Sequence, residues 1–167
     1  MLTALDASDD AFDDGERNFV SNIREHGWFR TNVFAEAEFP GFSYTTGFWV
    51  SLRRPEIITF SLRSETTHDI YWDIFRDARG GIEIPIGRRT NEIFANNPAY
   101  VFLVAKKRYP EYLGWSRWFY GGDDFPCLQL VWPDRAGLFP WDSGADEAFL
   151  SSQPDLTEDG WLASLAD

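Results

Sequence analysis

Apolar residues recur along this chain with two distinct periods. Phe19, Val20 and Ile23 follow helical spacing behind Asp13 and Asp14, which stand where an N-cap belongs. Gly27 can take the left-handed position that ends such a helix, with His26 in the last turn facing the helix dipole. This predicts a helix over 14–26. A second helical stripe, Ile70, Tyr71, Ile74, Phe75 and Ala78, follows Ser64 and Thr66 as candidate caps and stops at Gly80 and Gly81. Between them the period shortens. Segments 28–36, 42–51 and 56–62 read as strands, joined by EFPGF and LRRPE, whose Pro and Gly suit tight turns. Two further strands are expected over 99–106 and 127–132, a short helical turn over 90–95 and an amphipathic piece over 157–165. The order predicts a single α+β domain spanning 1–167: an antiparallel meander sheet of about five strands, open or barrel-like, with two or three packed helices.

Within the second strand, PGFSYTTGFW (40–49) stands out. Alternation sends Phe42, Tyr44, Thr46 and Phe48 to one face and Ser43, Thr45, Gly47 and Trp49 to the other. A glycine inside a strand marks a bulge, a bend or a close approach, by a ring from a neighbouring strand or by a ligand. A pocket between the sheet and the first helix would draw on His26, Trp28, Tyr44, Thr46 and Tyr120. His26 is the better general-base candidate of the two histidines, because His68 falls in the first turn of its helix, where a positive imidazolium meets the wrong end of the dipole.

No other familiar chemistry emerges. Two histidines and one cysteine lie far apart without metal-ligand spacing. There is no GxSxG, and Gly80-Gly81 and Gly121-Gly122 lack the lysine and spacing of a phosphate loop. Cys127 shares a strand face with Gln129 and Val131, the usual setting of a small buried hydrophobe. No catalytic residue, metal site or cofactor is therefore assigned, and a non-enzymatic role is expected. The run KKRYPEYLGWSRWFYGG (106–122) interleaves cations with rings, as nucleotide binders do.

Charge changes that picture. The formal net charge is −12, yet residues 1–16 hold six acids and 136–167 hold seven, with no base in either segment. The acidity belongs to the ends, and a negative field repels nucleic acid and membrane headgroups while steering basic partners. The stretch LVWPDRAGLFPWD adds a proline-stiffened loop flanked by Trp132 and Trp141. With Asp134, Asp142, Asp146 and Glu147 it forms a candidate surface for a basic protein partner. Rings make up 17% of the chain, too many for a disordered one. The start of the chain has no basic, apolar signal pattern, no run suits a membrane span, and a lone cysteine fits a reducing compartment, so a cytoplasmic location is expected.

Several of these pieces together resemble one family. NIREHGW (22–28), PGFSYTTGFW, RPEIITFSL (54–62), YLGWSRWFYG (112–121) and LQLVWPDRAGLFPWD (128–142) are similar to the bacterial family called domain of unknown function 4262, over roughly 18–156. The resemblance implies no catalytic or binding residue to carry over, and it leaves the acidic ends outside. Two expectations follow from the residues. The first is a binding module for a basic protein partner, of the inhibitor or immunity type. The alternative is a nucleotide-like or flavin-like small-molecule site in the pocket beside the first helix.

Overall fold

Helix α1 (Asp14–His26) forms where the apolar spacing places it in the computed structural model, which describes residues 1–167. Asp13 accepts from Glu16 N while the Glu16 side chain accepts from Asp13 N, a reciprocal cap. Gly27, at φ 88°, closes the helix by donating to Ile23 O at 2.8 Å. Strands β1 (Phe29–Val33), β2 (Phe42–Thr46) and β3 (Glu56–Phe60) pair antiparallel in chain order, as the short joints require. Helix α3 (Ser64–Arg79) follows, after a short α2 (Phe48–Leu52) inserted between β2 and β3. Its N-cap is Arg63, with no side-chain cap from either hydroxyl residue.

The sheet is not antiparallel throughout. Strand β5 (Cys127–Val131) inserts between β3 and β4 (Tyr100–Leu103), giving the order β1-β2-β3-β5-β4 with β3 and β5 parallel. The long crossover from β3 provides the chain length that a parallel pair needs. Both central strands are buried along their whole length, as parallel strands covered on two faces must be. The sheet is open rather than barrel-like, with β1 at one edge and β4 at the other.

Helices cover both faces. Tyr44, Ile58, Phe60 and Cys127 meet Phe19 and Ile23 of α1, together with α4 (Tyr109–Tyr112) and α5 (Gly114–Tyr120). Ile57, Leu128, Leu130 and Val101 meet Ile70, Tyr71, Ile74 and Phe75 of α3, with Trp28 and Phe48 completing that layer. A third cluster, Phe102, Val131 and Phe139, is closed by Trp141 and by Trp161 of α7 (Trp161–Ser164), which follows α6 (Glu147–Ser152). The piece expected to be helical over 157–165 is thus a single turn. The segment 90–95 is not helical; Thr90 instead bridges Ala99.

The expected strand over 42–51 stops at Thr46. Gly47 turns at φ 118°, and the chain enters α2 because a buried carboxylate collects its free N–H groups. Glu56 Oε1 accepts from Gly47 N at 2.9 Å, Trp49 N at 3.0 Å and Tyr120 Oη at 2.6 Å. Glu56 Oε2 accepts from Thr45 Oγ1 at 2.6 Å and Phe48 N at 3.3 Å. What approaches Gly47 is neither a ring nor a ligand but backbone: a Cβ there would lie 2.4 Å from Gly27 O and 2.7 Å from Trp28 Cα.

Burial pushes the Glu56 carboxyl up to about 7, against the pull of its donors. A group raised in the folded state contributes stability that is complete below its unfolded value and is lost as pH rises through about 7. Denaturant titrations of wild type and Glu56→Gln between pH 4.5 and 8 should show the wild type losing on the order of 3 kcal/mol relative to the variant. A constant difference would mean that the five donors hold the group ionised. Glu56→Ala, which orphans all five, should cost on the order of 3–5 kcal/mol at pH 4.5, and that cost should shrink toward pH 8 as the wild type loses its own stabilisation. Gly47→Ala should cost about 3 kcal/mol in the same assay, because both neighbours are main chain and the backbone is left-handed.

Candidate ligand cleft between α1, β1 and α3

His26 ends α1, Trp28 follows the Gly27 turn, and Arg30 lies on β1; all three face the N-terminal half of α3. There His68 and Trp72, one turn apart, form the opposite wall. With Asn22 and Phe29 these residues line a cleft of about 430 Å³. Trp28 is 3% exposed, with Trp72 edge-on at 5.1 Å and the His68 ring at 6.1 Å. The His26 ring stands 6.1 Å from Trp72.

Hydrogen bonding sets the polarity of this cleft. Trp72 Nε1 donates to His68 Nε2 at 3.1 Å, so a neutral His68 carries its proton on Nδ1. Arg30 Nη1 donates to Ser64 O and ties β1 to the start of α3, leaving its other N–H groups free of protein acceptors. The Trp28 indole N–H is buried and has no partner. Buried donors are normally satisfied, and this unsatisfied one belongs to a residue that also lines the cleft. His26 makes only a 3.7 Å approach to Glu25, its neighbour in sequence. The cleft therefore offers aromatic walls, an unpaired donor, one guanidinium and two imidazoles. No hydroxyl, thiol or carboxylate side chain lines it.

The five pocket residues expected from sequence divide into two groups. His26 and Trp28 share this cleft. Tyr44, Thr46 and Tyr120 lie on the other face of the sheet and are buried. Tyr44 Oη accepts from Trp115 N at 3.0 Å, Thr46 Oγ1 meets Ser116 Oγ at 2.6 Å, and Tyr120 binds Glu56. Tyr44 and Thr46 pin α5 to β2, and Tyr120 pins it to β3 and α2. Burial raises Tyr44 and Tyr120 above the ordinary phenol value, and the nearby Glu56 carboxylate adds to the rise at Tyr120. His68 and Trp72 were not anticipated as cleft residues, although their i, i+4 spacing beside the apolar stripe of α3 places them on one face.

The residues expected to meet a protein partner mostly serve the fold. Trp132 Nε1 donates to Phe60 O at 2.9 Å, and Trp141 packs among Tyr100, Phe102, Phe139 and Trp161. Asp134 accepts from Ala136 N and Leu138 N, Asp142 from Phe139 N, and Asp146 from Ala148 N. Glu147 is exposed. In the basic-aromatic run, Lys106 binds Asp123 O and Phe125 O, Lys107 pairs with Glu158 at 2.9 Å, and Arg117 pairs with Asp123 at 2.6 Å. No group of three or more His, Cys, Asp or Glu is placed to hold a metal ion. No helix is long and apolar enough to cross a membrane.

No curated protein and no solved structure matches the chain. One family model does, under the description "Domain of unknown function (DUF4262)". It covers residues 22–146 and so takes in α1 from Asn22, the whole sheet, α3 and every residue of the cleft. On that match the chain belongs to the DUF4262 family.

Proposed function

We propose that this protein binds a small planar anion in the His26–Trp28 cleft. The observation that carries the reading is the buried Trp28 indole N–H without an acceptor, on a wall shared with Arg30 and both histidines. Aromatic walls favour a flat body, because ring faces pack on ring faces and edges. The single guanidinium favours one acidic group rather than a chain of phosphates. An aromatic carboxylate or a nucleoside monophosphate has that chemistry.

The test is an ¹⁵N-indole spectrum of the full chain titrated with benzoate and with adenosine monophosphate, the Trp28 resonance being assigned through Trp28→Phe. A saturable shift of that resonance is expected with at least one probe. Arg30→Gln and His26→Ala should weaken the response about tenfold each, the size of a lost charge-assisted hydrogen bond. If the Trp28 resonance stays fixed at millimolar concentrations of both probes, the reading fails.

A second reading, docking of a basic protein partner, is supported by a different observation. Trp115 and Trp118 of α5, each 36% exposed, stand edge to face at 5.5 Å, and Phe12 packs on Trp118 at 5.7 Å. This aromatic ridge adjoins the acidic segment that carries Asp9, Asp10 and Asp13. Cations favour ring faces, and the carboxylates would add attraction. An oligo-arginine peptide should bind the wild type, lose affinity with added salt, and bind Trp118→Ala more weakly in fluorescence anisotropy. Salt sensitivity without any effect of Trp118→Ala would reduce the ridge to nonspecific charge attraction.

A further inference from the structure

From residue 80 to residue 99 the chain has neither helix nor strand. Loops much beyond about 12–15 residues without their own secondary structure are uncommon in a compact domain, and usually functional. This one is held by a few main-chain bonds. Thr90 bridges Ala99, Gly87 N donates to Val101 O, and Gly87 O accepts from Ala166 N. Beneath it lies a slot of about 190 Å³, walled by the C-terminal half of α3, the start of β3 and the loop itself. Ile57, Ile74, Ile84, Ile93 and Leu128 make the interior aliphatic.

The rim carries both signs of charge. Arg54 Nη1 pairs with Glu83 at 3.0 Å, but Arg54 Nε is shut away from water with no hydrogen-bond partner. That donor calls for an acceptor the protein does not supply. Asp77 and Glu92, on the α3 side and the loop side of the slot, have no ion pair, whereas Asp73, the other α3 carboxylate lining the slot, is paired with Arg76. Arg53 turns its guanidinium over the Trp49 ring at 5.3 Å. A purely apolar ligand would leave Arg54 Nε unsatisfied. A simple fatty anion would meet the unpaired carboxylates.

We propose that this slot binds a free aliphatic α-amino acid. Its carboxylate would accept from Arg54, its ammonium would face Asp77 and Glu92, and its branched side chain would lie among the isoleucines. Size agrees. A cavity of about 150 Å³ accommodates benzene, so this slot admits a body a little larger, of the bulk of leucine or isoleucine and short of tryptophan. The site is separate from the His26–Trp28 cleft, with no lining residue in common.

The experiment is a methyl-resolved titration of the full chain with three probes that share one branched body. These are leucine, 4-methylpentanoate, which lacks the amino group, and 3-methylbutylamine, which lacks the carboxylate. Leucine should shift the Ile57, Ile74 and Ile93 methyl signals saturably, and each single-headed analogue should bind at least about tenfold more weakly. Arg54→Gln should weaken leucine binding by a similar factor. Asp77→Asn, at an exposed helix position that the fold does not depend on, should weaken leucine but not 4-methylpentanoate. No methyl shift with millimolar leucine would overturn the proposal. So would equal binding of leucine and either analogue, which would leave only an apolar hole.

Discussion

The Glu56 carboxylate is the point on which the local geometry turns. A carboxylate taken fully out of water loses hydration worth several kcal/mol, and it persists in a core only where donors surround it. Here Thr45, Gly47, Phe48, Trp49 and Tyr120 supply them, from the end of β2, the start of α2 and the end of α5. The neighbouring β2, α2 and β3 are thereby joined to the distant α5 at one carboxyl group. The same residue pairs in register with Cys127 on the parallel strand β5, where burial and the neighbouring carboxylate both push the thiol up. Cys127 is held as an inert small hydrophobe rather than a nucleophile.

Both candidate sites hang from that hub. The turn at Gly47 brings the α2 start against Gly27 and Trp28, and Ser51 Oγ donates to Gly27 O at 2.7 Å, which sets where Trp28 enters the cleft. Phe48, whose N–H is held by Glu56, packs edge-on against Trp28 at 5.6 Å and also lines the aliphatic slot. Helix α3 walls the cleft with His68 and Trp72 and the slot with Ile74, Asp77 and Ala78. One buried acid and one helix therefore position two pockets of different character.

The sequence made some of this legible and hid the rest for identifiable reasons. Helix α1 could be read to its bounds because its start and stop are local: Asp13 caps it and Gly27 ends it within the segment itself. The apolar stripe of α3 is equally local. The insertion of β5 between β3 and β4 is not, because a buried strand such as CLQLV gives no sign of which neighbour it will choose. The end of β2 at Thr46 depends on Glu56, a carboxylate whose burial nothing in PEI announces. His26 and Trp28 were recognisable as a pair because Gly27 joins them. His68 and Trp72 reach the same cleft only through the packing of α3 against Trp28, which is a tertiary fact.

The acidic ends illustrate how composition and structure can part ways. Asp6 caps the first turn of the chain, Asp13 caps α1, Asp146 caps α6, and Asp134 and Asp142 satisfy the N–H groups of their own loops. Asp155 accepts from Thr157 and Trp161 and holds α7 in place. Carboxylates used this way serve as charge-assisted acceptors for backbone that would otherwise lack partners. The two ends are anchored at different places. The first segment is bound through Arg24, which reaches Leu5 O, Ala7 O and Asp9 beside α1 and β1. The last crosses β4 through Trp161 and Phe102. Much of the acidity at both ends is thus engaged with the chain's own backbone N–H groups while it keeps its charge.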